Sequence, residues 1–110
     1  MSKYNARRTT IDGITFDSKA EARRYEELKL LQAGGTISGL TLQPSYELQP
    51  KFTDDKGVKH RAIVYIADFR YREQYEEVVE DVKGMQTAEF KIKHKLLLFR
   101  HPGLDFRIIS

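Results

Sequence analysis

The stretch Ile63-Val64-Tyr65-Ile66-Ala67-Asp68-Phe69-Arg70-Tyr71, followed by Glu76-Glu77-Val78-Val79-Glu80-Asp81-Val82-Lys83, decides the fold of this chain. In the first run Ile63, Tyr65, Ala67, Phe69 and Tyr71 alternate with more polar neighbours, the period-two pattern of a strand, which reads as extending from His60 to Tyr71. The second run closes at Gly84 and reads as its antiparallel return strand. A turn centred between Gln74 and Tyr75 sets Asp68 opposite Asp81 and Ile66 opposite Lys83. Residues two apart on a strand share a face, so Asp68, Asp81 and Lys83 are expected side by side. Two carboxylates facing each other repel unless a cation or proton lies between them, and a hard divalent ion with oxygen ligands meets that need.

The remaining elements are read outward from this hairpin. Upstream, Asp54-Asp55-Lys56-Gly57 supplies turn chemistry, and Leu42 to Phe52 has strand character with Pro44 and Pro50 at its irregular ends. Thr36 to Gly39 reads as a loop. From Ser18 to about Gln32, strong helix formers place Ala22, Tyr25, Leu28 and Leu31 at helical spacing, with Gly34-Gly35 as the stop. Asp12-Gly13, set among the β-branched residues of Thr9 to Phe16, signals a small hairpin. Residues 1–8, with Lys3, Arg7 and Arg8, read as a basic tail that serves either DNA phosphates or plain solubility. Downstream, Thr87 to Phe99 alternates at Phe90, Ile92 and His94, yet Ile92, Leu96 and Phe99 fit a helix. Its length and the capping Thr87 favour the helix. Asp105 to Ser110 ends the chain as a short strand carrying Phe106, Ile108 and Ile109. The order is helix, three strands, helix, strand, in one domain spanning 1–110.

With 110 residues, the chain builds one modest core and not two. Hydrophobic residues at 40% and charged ones at 32% are the balance of a globular domain. No apolar run approaches the roughly 20 residues of a spanning helix, and no signal-peptide core opens the sequence, so a cytoplasmic protein away from membranes is expected. The absence of cysteine excludes disulfides, thiolate zinc and Cys nucleophiles. His60, His94 and His101 lack metal-ligand spacing, which leaves oxygen ligands for any metal. A net charge of +3 and a pI near 9.2 suit a polyanionic partner, although many proteins with no nucleic-acid role are equally basic.

Acid-x-Lys occurs five times, at Asp17-Lys19, Glu27-Lys29, Asp54-Lys56, Asp81-Lys83 and Glu89-Lys91, and means little by itself. Only Asp81-Val82-Lys83 falls in an expected strand, where both side chains address one ligand. Asp68 sits among apolar residues, where an unpaired charge is costly. Glu21 falls between Tyr25 and Leu28 on the helical wheel, in the core-facing arc, but Ser18-Lys19-Ala20-Glu21 is also a capping box. Each residue has an ordinary reading: Asp68 paired with Arg70 or a lysine, Asp81 and Lys83 on a salt-bridged surface strand, and Lys91, Lys93 and Lys95 on a solvated helix face. On a helix Lys91 and Lys95 share one side while Lys93 points elsewhere, which makes the first two the better phosphate contacts. Arg23 and Arg24 read as solvent-facing or phosphate-touching rather than catalytic.

Ser18-Lys19-Ala20-Glu21, Asp68 and Asp81-Val82-Lys83-Gly84 together resemble the PD-(D/E)xK nuclease superfamily, in particular a group of small phage and prophage proteins taken to be endonucleases or Holliday junction resolvases. The resemblance covers nearly the whole chain, from Lys3-Tyr4-Asn5-Ala6 to the final strand, with Ala67 where the motif has proline. It implies a restriction-endonuclease-like α/β (α+β) fold, a mixed four-stranded sheet flanked by helices. It further implies an endonuclease in which Asp68, Asp81 and Glu21 hold Mg²⁺, or Mn²⁺ in its stead, and Lys83 assists catalysis. The expected partner is duplex or branched DNA, since no aromatic cluster offers a single-strand stacking platform. Lys91, Lys93, Lys95, Arg7 and Arg8 are the expected DNA contacts, and a resolvase would be a homodimer acting in the host cytoplasm. The competing readings are a DNA-binding phage protein without catalysis and a structural protein whose acids form salt bridges.

Overall fold

The computed structural model describes residues 7–110, so Lys3 and the rest of 1–6 in the expected tail lie outside the described residues. Strands β1 (Thr9–Ile11) and β2 (Ile14–Phe16) form the N-terminal hairpin. Both of its turn residues have positive φ, 54° at Asp12 and 77° at Gly13, as a type I′ turn requires. Helix α1 (Lys19–Ala33) starts at Ser18, whose extended backbone and side-chain oxygen cap the first turn, and it buries Ala22, Tyr25 and Leu28. The hairpin is tied to α1 by Lys29 and the Tyr25 hydroxyl, which bind Asp12 at 2.7 and 2.9 Å.

There follow β3 (Ser38–Leu42), β4 (Ser45–Gln49), β5 (Phe52–Thr53), β6 (Lys59–His60), β7 (Ile63–Ile66), β8 (Phe69–Glu73) and β9 (Glu76–Val82). Helix α2 (Ala88–Arg100) and β10 (Asp105–Ile109) complete the chain, and Thr87 caps α2 as expected. Strands β10, β9, β8 and β3 form a mixed four-stranded sheet in that order, with β10 parallel to β9 and the other pairs antiparallel. The β9–β10 parallel pair is joined through α2, as such a crossover demands. Phe69, Tyr71 and Val78 pack with α1 and the hairpin on one face. Val79 packs with Phe90 and Leu97 of α2 on the other. Among the described residues no helix is long and apolar enough to cross a membrane.

Three sequence expectations need correction. The loop expected at Thr36 to Gly39 gives way to β3 from Ser38, and the single strands expected over Leu42 to Phe52 and His60 to Tyr71 are each broken. The breaks lie side by side. Gln43 takes a positive φ of 51° and Pro44 has no N–H to give; across from them, Gln43 N–H donates to Asp68 O at 2.9 Å and Ala67 N–H to Pro44 O at 3.1 Å. Pairing therefore continues from Leu42↔Phe69 to Ser45↔Ile66 through a kink that carries β4 and β7 out of the four-stranded sheet. The kink also reverses which side faces which helix: Phe69 and Tyr71 pack toward α1, whereas Tyr65 and Ala67 pack with α2 residues. Ile66 consequently pairs with Ser45 and does not face Lys83, whose N–H instead binds Ile109 O at 2.8 Å.

Candidate functional site

Where β7 leaves β9, the sheet forks, and the fork opens a groove of about 1000 Å³. Its lining includes Glu21, Asp68, Asp81 and Lys83, together with Asp17, Lys19, Arg23, Tyr65, Phe90 and Lys93. The β8–β9 register, Phe69↔Glu80 through Glu73↔Glu76, is the one expected from a turn at Gln74 and Tyr75. One step further it sets Asp68 beside Asp81, and Asp68 N–H still binds Glu80 O at 3.1 Å. Asp68 thus stands at the last rung before the strands part.

Both carboxyl groups line the groove side by side. Burial, followed by the bond and charge of Asp81, pushes the Asp68 carboxyl up to about 8, so near neutrality it retains a proton. Its Oδ2 accepts from Val82 N–H at 2.7 Å, which fixes the group in place. Asp81, only 3% exposed, accepts from the Tyr65 hydroxyl. Burial also raises Glu21, with the nearby charges of Asp17 and Asp81 adding to it and Lys83 opposing. The Ser18 side chain accepts from Glu21 N–H at 3.1 Å, but the Glu21 carboxylate does not return the bond to Ser18 N–H. Only half of the capping box is made, and the carboxylate is left to the groove. Lys83 Nζ lies 4.9 Å from the centroid of the Phe90 ring, which holds the ammonium at the groove wall.

The donor set suits a hard divalent ion, because two largely buried carboxyl groups stand side by side at the groove floor. Among the described residues no three carboxylate, imidazole or thiol groups converge closely enough to hold an ion. Asp68 and Asp81 stand side by side in the groove, and Glu21 lines it with them. Mg²⁺ commonly takes one or two carboxylates and keeps its remaining waters, which the arrangement permits.

The basic residues are placed differently from the sequence expectation. Lys93 lines the groove, paired with Glu89 at 3.1 Å, whereas Lys91 and Lys95 lie on the exposed outer flank of α2. Arg7 and Arg8 are exposed and outside the groove lining. Arg24, expected at the surface, instead grips the wholly buried Glu80 by two bonds of 2.8 and 2.7 Å, on the α1 side of β9. The Tyr71 hydroxyl also binds Glu80, so the strand bearing Asp81 is anchored from behind. Asp68 is not paired with Arg70, whose nearest acid is Glu77 at 3.9 Å.

Tyr65, Lys19 and Asp17 join the site without having been singled out for it in the sequence, and Arg23, read as solvent-facing or phosphate-touching, lines it too. Strict alternation places Tyr65 on the face away from Asp81, and only the kink brings it round. Lys19 and Arg23 become visible as wall residues once the α1 N-terminus is known to border the fork.

A family model described as "Protein of unknown function (DUF1064)" matches residues 1–110, the whole chain. The chain belongs to the DUF1064 family. No curated protein matches it.

Proposed function

We propose that this DUF1064 chain is a metal-dependent endodeoxyribonuclease that hydrolyses DNA phosphodiester bonds. The observation that carries the reading is the placement of Asp68 beside Asp81 at the last rung of β8 and β9, both lining an open groove with Lys83 and Glu21. Among the described residues neither acid makes a salt bridge, and such a buried pair is costly unless it serves a ligand. Asp68 and Asp81 would hold Mg²⁺, with Glu21 acting through water. Bound there, the ion would polarise a phosphoryl oxygen and acidify a bound water. Val82 N–H and the Tyr65 hydroxyl keep the two carboxylates aimed into the groove. Lys83 would orient the attacking water and neutralise charge developing on the phosphate, and Lys93, Lys19 and Arg23 would hold the adjoining backbone. Hydrolysis in line would leave a 5′-phosphate and a 3′-hydroxyl, as the superfamily resemblance implies.

Branched duplex DNA is the proposed substrate, cut by a homodimer in the host cytoplasm, since resolving a junction takes two matched incisions. The test is a Mg²⁺ cleavage assay on a four-way junction, a flap, linear duplex and single strand, with Asp81→Ala as control. Cutting of the junction by the wild type alone supports the reading; no cutting of any substrate overturns it. Binding without cutting would favour a DNA-binding protein lacking catalysis.

A further inference from the structure

The chain between β4 and β7 leaves the body of the protein as a narrow two-stranded arm. Phe52 pairs with His60 and Thr53 with Lys59, and Asp54 organises the turn by accepting from Lys56 N–H at 2.8 Å and Val58 N–H at 3.0 Å. The molecule is long, 53 × 40 × 24 Å, with a radius of gyration of 16.0 Å where a compact domain of this size has about 13 Å. Its two faces differ. Phe52 and His60 stack on one, with ring centroids 4.7 Å apart. The other carries Thr53 and Lys59, and the same register taken one step back places Lys51 across from Arg61 on that face.

Lys51, Lys59 and Arg61 are all exposed, and among the described residues none has an acidic side chain at ion-pair distance. Like charges directly across a strand pair are destabilising, so a face with three cations and no internal acid calls for an external anion. Of the two acids in the turn, Asp54 is already engaged by the turn and by His60 at 2.9 Å, and Asp55 is exposed and makes no ion pair with the three cations.

We propose that this arm is a duplex-binding element that lays its Lys51, Lys59 and Arg61 face on the DNA beside the groove. The inference rests on the DNA reading of the site and adds where the substrate runs. A two-stranded ribbon fits the major groove, about 12 Å wide. The arm also extends the wall that β7 contributes, because Ile66 and Val64 line the groove and Arg61 precedes them on the same chain. At about 3.3 Å per residue, Lys59 lies at most about 23 Å from Ile66, a span of roughly seven base pairs at about 3.4 Å each.

The experiment measures affinity of the full chain for a 30-base-pair duplex by fluorescence anisotropy in EDTA over a salt series. It compares wild type, K51A/K59A/R61A, the single reversal K59E, and F52A on the other face. The triple variant is expected to bind at least about tenfold more weakly at low salt, with its log–log salt slope shallower by about 2.7, three phosphate contacts' worth. K59E should fall in the same direction, F52A should keep the wild-type slope, and all should keep the wild-type thermal response to Mg²⁺. A triple variant with wild-type affinity and slope overturns the proposal, as does wild-type binding to polyglutamate but not to duplex. Because the assay contains no metal, loss of binding in the triple variant alongside a wild type that cuts nothing would sink the nuclease reading alone. Undiminished binding and cutting by the triple variant would sink the arm alone.

Discussion

The Tyr65 hydroxyl donates to Oδ2 of Asp81, joining a strand that has left the sheet to the carboxylate that the sheet holds at its fork. Burial and the Asp81 charge both raise the Tyr65 phenol, so it stays a donor at any working pH. Tyr65→Phe keeps the packing and removes only this bond. Groups that orient ligands typically cost about 10- to 100-fold in metal affinity when lost. A drop of that size in Mg²⁺ affinity by calorimetry, with about 1–2 kcal/mol lost in stability, is the expected outcome; unchanged Mg²⁺ binding would separate Tyr65 from the site.

Asp68 makes the metal-free protein sensitive to pH. Its carboxyl titrates near 3.8 when unperturbed and near 8 in the fold, so between those values the folded state holds a proton that the unfolded chain releases. The contribution of Asp68 to stability is therefore fullest below about pH 4 and declines as pH rises to about 8, by up to about 1.4 kcal/mol per unit. Glu21, raised as well, adds to the same slope. In EDTA the wild-type melting temperature should fall from pH 5.5 to 8 and that of Asp68→Asn should fall less. Stabilisation by Mg²⁺ should grow across the same window, because the ion displaces the proton.

Ser18 and Glu21 separate capping from chemistry. Ser18→Ala should cost about 1 kcal/mol through loss of the cap and leave Mg²⁺ affinity intact. Glu21→Gln should not lower the melting temperature and should weaken Mg²⁺ binding, since its carboxylate faces the groove and not the helix end. Equal thermal losses in both variants, with Mg²⁺ binding untouched, would return Glu21 to a capping role.

Lys83→Ala should lower the cleavage rate by about 10²–10³, the usual loss for one electrostatic stabiliser. Removing a cation beside two carboxylates should leave Mg²⁺ binding no weaker. Cleavage at the wild-type rate would remove Lys83 from the mechanism.

Behind the site, Arg24→Met strands the buried Glu80 charge and should cost about 3 kcal/mol, whereas Arg24→Met with Glu80→Met should recover much of that loss. Thermal denaturation of the two variants and of wild type closes the comparison. A double variant as unstable as the single one would show that the pair is not coupled as its two hydrogen bonds indicate.

Local pattern alone settled a good part of this protein. The hairpin turn at Asp12-Gly13, the α1 cap at Ser18, the α2 cap at Thr87 and the β8–β9 register all follow from interactions within a few residues or from one tight turn, so they were legible in the chain. The register was enough to bring Asp68 to Asp81. Tertiary structure alone decided the fork. Gln43 and Pro44 bend one strand only because Ala67 and Asp68 bend beside them, and the two breaks share hydrogen bonds across some 24 residues of sequence. That kink reverses the alternation that would have turned Tyr65 away, and it opens the groove that exposes Lys83 and Lys93 together. The exchange of Arg24 from surface to buried partner is also decided by tertiary packing: Glu80 and Asp81 are neighbours on one strand and so face opposite sides of the sheet, and only the packing of α1 against one side shows which acid is braced and which faces the groove.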